Sequence, residues 1–136
     1  GPGDFVDTTG KKLGTHKGFP NYTIGQRKGL GIALGQPMFV VAIHPDTNTV
    51  VLGTKDELQG KTFYAKNINL MKYASLPEGL EVTAKIRYRN EGKLASLFPE
   101  GDRIRVVFHE SIDSITPGQS AVFYEDNDVI SGGIIE

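Results

Sequence analysis

Glycine and proline set the limits on what this chain can fold into. Seventeen Gly and seven Pro are spread over 136 residues, and the runs between them are short and rich in β-branched and aromatic side chains. A helix of ordinary length needs about ten residues free of such breaks, whereas short strands separated by turns fit this punctuation. The fold class expected is therefore all-β, mainly β with one or two short helices.

Particular runs give this expectation its detail. Val40-Val41-Ala42-Ile43 and Val50-Val51-Leu52-Gly53 flank His44-Pro45-Asp46-Thr47-Asn48, whose Pro, Asp and Asn favour a reversing turn, so the segment reads as a hairpin. From Glu81 to Tyr88, Val82, Ala84, Ile86 and Tyr88 alternate with Glu81, Thr83, Lys85 and Arg87, which gives a strand one apolar and one charged face. Arg103 to Phe108 and Ser120 to Tyr124 read as further strands, the latter preceded by a turn at Thr116-Pro117-Gly118. Two short helices are expected. Asn21 or Thr23 would cap one through Ile24 to Lys28, ended by Gly29, and Thr54 with Glu57 three positions on forms a capping box for the other, stopped by Gly60. Ser75, Pro77 and Gly79 interrupt the pattern between Ala74 and Gly79, which divides the chain into expected domains at 1–75 and 76–136.

Several kinds of chemistry are excluded by composition. Cysteine is absent, and with it disulfides, thiolate metal sites and thiol nucleophiles. His16, His44 and His109 lie in unrelated contexts without the spacing of a helical metal site, and Ser111, Ser114 and Ser120 lack a Gly-x-Ser-x-Gly elbow. No catalytic residue and no metal ligand is expected. No apolar stretch approaches the roughly 20 residues needed to cross a bilayer, and the N-terminal residues show no signal-peptide pattern, so no membrane partner and a cytoplasmic location are expected.

A net charge of −1 argues against an autonomous nucleic-acid binder, since such domains meet phosphates with a basic surface. The average conceals an asymmetry. Residues 1–31 carry five basic side chains against two acidic ones, while after Arg105 there are six carboxylate side chains and no Lys or Arg.

Three segments hold candidate contacts. Gly14-Thr15-His16-Lys17-Gly18 followed by Tyr22-Thr23-Ile24-Gly25-Gln26-Arg27-Lys28-Gly29-Leu30-Gly31 is dense in glycine and cations, so that His16, Arg27 and Lys28 can meet an anion. Read from pattern alone, a solvated glycine-rich loop is the better account of it. No Walker loop or dinucleotide fingerprint is completed there. Lys85-Ile86-Arg87-Tyr88-Arg89 sets Lys85, Arg87 and Arg89 in one row of a strand, a pattern that can track a phosphate backbone or present a solvated face. Thr116-Pro117-Gly118-Gln119 is a turn whose Gln119 can reach a base or the backbone, although by pattern alone a plain turn is the better account.

Taken together and in order, these segments resemble the tRNA-specific 2-thiouridylase family. The Gly14-x-His16-x-Gly18 and Tyr22 to Gly31 runs resemble the hallmark of its central domain. Pro37-Met38-Phe39-Val40-Val41, Lys85 to Arg89, Ile115 to Tyr124 and the tail Gly132-Gly133-Ile134-Ile135 follow in the family's order. The resemblance implies a small central β domain followed by a translation-factor-like β-barrel. It implies that family members activate the wobble uridine (U34) of tRNA with ATP and replace its C2 oxygen with sulfur from a cysteine persulfide. The family's Ser-Gly-Gly-x-Asp-Ser motif and reactive cysteines are absent from this sequence, so the chain is expected to be inactive alone and to hold no cofactor, ATP being used by the longer enzyme. Implied partners are tRNA, an N-terminal catalytic domain and, through the whole enzyme, a persulfide donor protein. Carried over by motif, the tRNA contacts are Arg87, Tyr88 and Gln119, with His16, Gln26, Arg27 and Lys28 as further contacts to tRNA or to another domain. Asn90 and Ser131 depart from the family's usual Gln and Gly. A free-standing β-barrel that binds protein is the alternative.

Overall fold

The computed structural model describes residues 1–58, 61–86, 92–112 and 115–136. Its elements are almost all strands: β1 (Gly3–Val6), β2 (Lys12–His16), β3 (Phe39–His44), β4 (Thr49–Gly53), β5 (Thr62–Leu70), β6 (Leu80–Ile86), β7 (Lys93–Glu100), β8 (Arg103–Phe108), β9 (Ser120–Glu125) and β10 (Asp128–Ile135). Among the described residues, helix is confined to 3-10 turns at Phe19–Asn21, Pro45–Thr47 and Asp56–Leu58.

The chain divides into two compact units, Gly1–Gln59 and Gly60–Glu136. This differs from the division at 75/76 drawn from the sequence. The reason is β5: its nine residues precede the Ser75 to Gly79 interruption, yet they pair with β8 on one side and β10 on the other, closing the second unit.

The first unit is a four-stranded sheet in the order β2-β1-β4-β3. β3 and β4 form the expected hairpin, with Phe39 opposite Gly53 and His44 opposite Thr49. Asn48 closes the turn with φ 53°, a left-handed conformation that Asn tolerates better than other side chains. A bulge leaves Val41 as an extra residue between Val40 and Ala42. At that point the main chain of Val40 turns to the long β2–β3 connection, accepting from the amide of Gly25 at 2.7 Å and donating to the carbonyl of Gln26 at 2.9 Å. Those bonds hold Ile24–Gly25 as a turn rather than the expected helix. Tertiary pairing thus offers residues 25 and 26 the main-chain partners a helix would have supplied. Phe5, Tyr22, Leu30, Met38, Val40, Val50 and Leu52 form the core. The Thr54–Glu57 capping box is present: the Thr54 amide donates to Glu57 Oε1 at 2.9 Å and the Glu57 amide to Thr54 Oγ1 at 3.4 Å.

The second unit is a closed, wholly antiparallel barrel in the order β10-β5-β8-β7-β6-β9. Strict alternation drives it inward. Val82, Ala84 and Ile86 of β6, Ala121 and Phe123 of β9, and Phe63 and Ala65 of β5 enter the core with Leu97, Ile104, Val106, Phe108, Ile130 and Ile135. Closing so small a barrel requires sharp local bends. Asn67 of β5 supplies one at φ 54°, where the register with β10 shifts. Opposite it, Gly133 leaves room that a Cβ would fill, 2.7 Å from Ile68 Cδ1 and 2.8 Å from the Lys66 carbonyl.

Candidate RNA interface

Gln119 stands at the mouth of the β9–β10 pair. Pro117 and Gly118, the latter at φ 90°, occupy the centre of a type II turn in which the Gln119 amide donates to the Thr116 carbonyl at 3.3 Å. The turn is laced to the end of β10, since the Gly118 amide donates to the Ile135 carbonyl at 2.7 Å and the Ile135 amide to the Gln119 carbonyl at 2.8 Å. Its main chain is therefore rigidly committed. The side-chain amide of Gln119 makes no hydrogen bond among the described residues, leaving one donor and one acceptor group for a ligand.

The end of β6 lies beside the same turn. Ile86, its last residue, lies opposite Ala121, two positions after Gln119. Arg87 and Tyr88 follow Ile86 in the sequence but lie outside the described residues.

Charge within the barrel is sorted. Lys72 is held by Glu125 at 2.9 Å and Asp128 at 3.5 Å, Arg103 by Glu136 at 3.0 Å, Arg105 by Glu100 at 2.6 Å and Lys93 by Glu110 at 3.6 Å. The acidic C-terminal stretch thus supplies partners for barrel cations. The Glu125 carboxyl is held below its ordinary range by hydrogen bonds from Lys72 and from the Tyr73 hydroxyl, and the same contact raises the Tyr73 phenol. Lys66 and Lys85 have no carboxylate partner among the described residues.

In the first unit, the structure separates the motif's polar residues. His16 is buried, with its Nδ1 accepting from the Gly18 amide at 2.9 Å, so Nε2 carries the proton and donates to the Asn48 carbonyl at 2.8 Å. Phe5 and Tyr22 pack edge-on against the ring. Gln26 is also occupied: its Oε1 accepts from the Thr23 amide at 3.0 Å and its Nε2 donates to the Lys28 carbonyl at 2.9 Å. His16 and Gln26 hold the loop together, whereas Arg27 and Lys28 are exposed. Arg27 borders a cleft of about 390 Å³ floored by Leu30, Ile32, Leu34 and Met38, one guanidinium beside an apolar surface.

The fold also assembles a group that local sequence did not reveal. Ser96 Oγ lies 3.1 Å from His109 Nε2, and His109 Nδ1 lies 3.8 Å from Glu81 Oε1. Residues 13 and more apart meet because β7 pairs with β8 and β6. The order imitates a hydrolytic triad, but Ser96 is wholly buried and no substrate carbonyl can reach it. Burial pushes the His109 imidazole below its ordinary value despite the neighbouring Glu81, which is largely solvated. Among the described residues no cluster of three or more His, Asp or Glu is placed to hold a metal, and no helix is long and apolar enough to cross a membrane.

The two units coincide with two family models. Residues 1–54 match the tRNA methyl transferase PRC-barrel domain and residues 60–135 the aminomethyltransferase beta-barrel domain. Among curated proteins, the chain is 53% identical over 135 residues to a tRNA-specific 2-thiouridylase, MnmA 2, of Clostridium botulinum strain Okra, covering 98% of the chain and 38% of that protein. It is 49% identical to MnmA 1 of Clostridium tetani, covering 98% of the chain and 37% of that protein, and 48% identical to MnmA of Moorella thermoacetica, covering 99% and 38%. The chain spans less than two fifths of the length of these relatives. With both β units matched in order and about half the residues shared along nearly the whole chain, it belongs to the tRNA-specific 2-thiouridylase family.

Proposed function

We propose that this chain is the tRNA-gripping part of an enzyme that 2-thiolates the wobble uridine of tRNA with ATP and a cysteine persulfide, and that it has no thiolating activity of its own. The observation that carries the reading is identity of 48 to 53% along essentially the whole chain to enzymes named for that specificity. The family models' descriptions speak of methyl transfer, but the relatives at this identity are named for thiolation, which supports the thiolation reading. Neither the ATP step nor the sulfur step falls on these residues, because the sequence has no cysteine and no Ser-Gly-Gly-x-Asp-Ser. What they can do is hold RNA. Gln119 offers an uncommitted amide on a rigid turn, while Arg87 and Tyr88 follow the β6 residue that pairs beside it. Such a division of labour suits an enzyme acting on a base drawn out of its stack, since the anticodon arm must be held while the base is presented elsewhere.

A protein-binding reading has one observation of its own. Leu70, Met71 and Val129 leave an apolar patch exposed on adjoining parts of β5 and β10. One titration separates the two readings. Labelled tRNA should bind the chain with an affinity that falls as salt rises, and Gln119→Ala should weaken it without lowering the melting temperature. Absence of tRNA binding at low salt would leave the protein-binding reading in possession.

A further inference from the structure

We propose that Lys85 is a phosphate contact of this same interface, set in place by Tyr124. The inference rests on the tRNA-gripping reading and adds to it a residue with its own support.

Lys85 and Tyr124 are diagonal neighbours on the outer face of the barrel, since Lys85 pairs with Val122 and Thr83 with Tyr124 across β6 and β9. The Lys85 ammonium lies 5.0 Å from the centroid of the Tyr124 ring. Gly92 leaves space beside the Lys85 stem: a Cβ there would stand 2.3 Å from Thr83 Cγ2, 3.3 Å from Lys85 Cγ and 3.4 Å from Lys85 Cε. A lysine side chain normally gives up much rotamer freedom on binding. Here that freedom is already restricted in the fold, which lowers the entropic cost of meeting a ligand.

The charge around it identifies the ligand. Arg103, Arg105 and Lys72 also sit over aromatic rings, but each has a carboxylate partner. Lys85 has none among the described residues, so its ring contact orients the ammonium without neutralising it, and N–H donors remain available. Lys66, a second barrel cation with no carboxylate partner among the described residues, stands three strands away across β9 and β10, an across-strand spacing of roughly 14 Å, and nearer the Gln119 turn along the strands. Between the two cations the outer face presents Ile134 and Gly132 of β10 and Ser120 and Val122 of β9, none of them charged. The track begins at the turn that carries Gln119. A polyanion with regularly spaced charges is what two separated, unneutralised cations flanking an uncharged strip select, and RNA is the polyanion proposed for the neighbouring motif.

The test uses the full 136-residue chain and a labelled, unmodified tRNA transcript, with affinity read by fluorescence anisotropy over a range of salt and each variant checked by thermal melting. Lys85→Gln is expected to weaken binding about tenfold at low salt and to reduce the slope of log affinity against log salt by about one. Lys85→Arg should keep wild-type affinity and slope; an Arg variant as weak as the Gln variant overturns the phosphate role. Tyr124→Leu should weaken binding by a smaller factor with the salt slope unchanged, and Tyr124→Phe should match wild type. A Tyr124→Phe loss equal to that of Tyr124→Leu overturns positioning by the ring. Lys72→Gln, whose cation is already neutralised, should stay within about twofold of wild type; a loss equal to that of Lys85→Gln means that net charge alone is being read and overturns the site. If Gln119→Ala weakens binding while Lys85→Gln does not, the Lys85 assignment fails and the tRNA reading stands. If neither does, both contact assignments fail, and a wild-type chain that binds no tRNA at low salt overturns the tRNA reading itself.

Discussion

His16 donates from Nε2 to the main-chain carbonyl of Asn48, 2.8 Å away and 32 positions on in the sequence. Asn48 completes the tie, accepting from the Phe19 amide through Oδ1 at 3.0 Å while its own left-handed backbone closes the β3–β4 turn. Two segments of the first unit are thereby pinned to one asparagine. His16→Ala strands a buried carbonyl and the Gly18 amide, and is expected to cost about 2 to 4 kcal/mol, read by urea unfolding. tRNA affinity of the folded fraction should be unchanged, because the imidazole has no free nitrogen to offer. A specific loss of tRNA affinity in a fully folded variant would place His16 at the interface after all.

Arg87 and Tyr88 are expected to differ in weight. Adjacent residues of a regular strand point to opposite faces, so both side chains reach one RNA only at an irregularity, or one acts through its backbone. Arg87→Ala should weaken tRNA binding by about 1 to 3 kcal/mol through loss of a charge-assisted contact. Tyr88→Phe should cost less. Wild-type affinity in a folded Arg87→Ala protein would make the segment plain scaffold.

The isolated chain should yield no 2-thiouridine when incubated with tRNA, ATP and a persulfide donor, as measured by nucleoside mass spectrometry. Thiolated product in a preparation shown to be free of full-length enzyme would require a nucleophile that this sequence does not contain.

His109 should make the barrel sensitive to mild acid. Burial lowers its folded-state pKa, so as pH falls through the ordinary histidine value of about 6.5 the unfolded chain takes up the proton first. Stability is full above that value and declines below it, down to the folded-state pKa. The carboxylates Asp7, Glu57 and Glu125, also lowered, lose their contributions only in the more acidic carboxylate range. His109→Gln should therefore flatten the melting temperature between about pH 7 and pH 5 relative to wild type. Parallel pH profiles for the two proteins would show that the ring is not protected by burial.

Gly133→Ala tests barrel closure. A Cβ there meets the Lys66 carbonyl at 2.8 Å as well as a movable Ile68 methyl, and the carbonyl belongs to the strand pairing and cannot easily retreat. A loss of about 1 to 3 kcal/mol is expected by thermal or urea melting. A variant as stable as wild type would mean that β5 yields more readily than its pairing implies.

What the sequence determined by itself was whatever short-range chemistry dictates. The β3–β4 hairpin, the alternating face of β6, the strands Arg103–Phe108 and Ser120–Glu125, and the Thr54–Glu57 box all follow from residues a few positions apart, and they formed as expected. The family was equally legible, because its motifs are local strings in a fixed order. Tertiary structure decided everything that depends on a partner far along the chain. β5 lies on the N-terminal side of the apparent boundary and joined the barrel, because a closed sheet needs strands for β8 and β10 to pair with. Residues 25 and 26 gave up a helix because the bulge at Val41 offered Val40 as a main-chain partner. The same holds for the candidate site. Its motifs were visible as strings, but only the pairing of Ile86 with Ala121 brought the end of β6 beside the Gln119 turn, and only the packing around His16 and Gln26 engaged their polar atoms within the first unit. A side chain's type can be read from sequence, whereas its availability to a ligand depends on which hydrogen-bond partners and charges the rest of the fold has brought within reach.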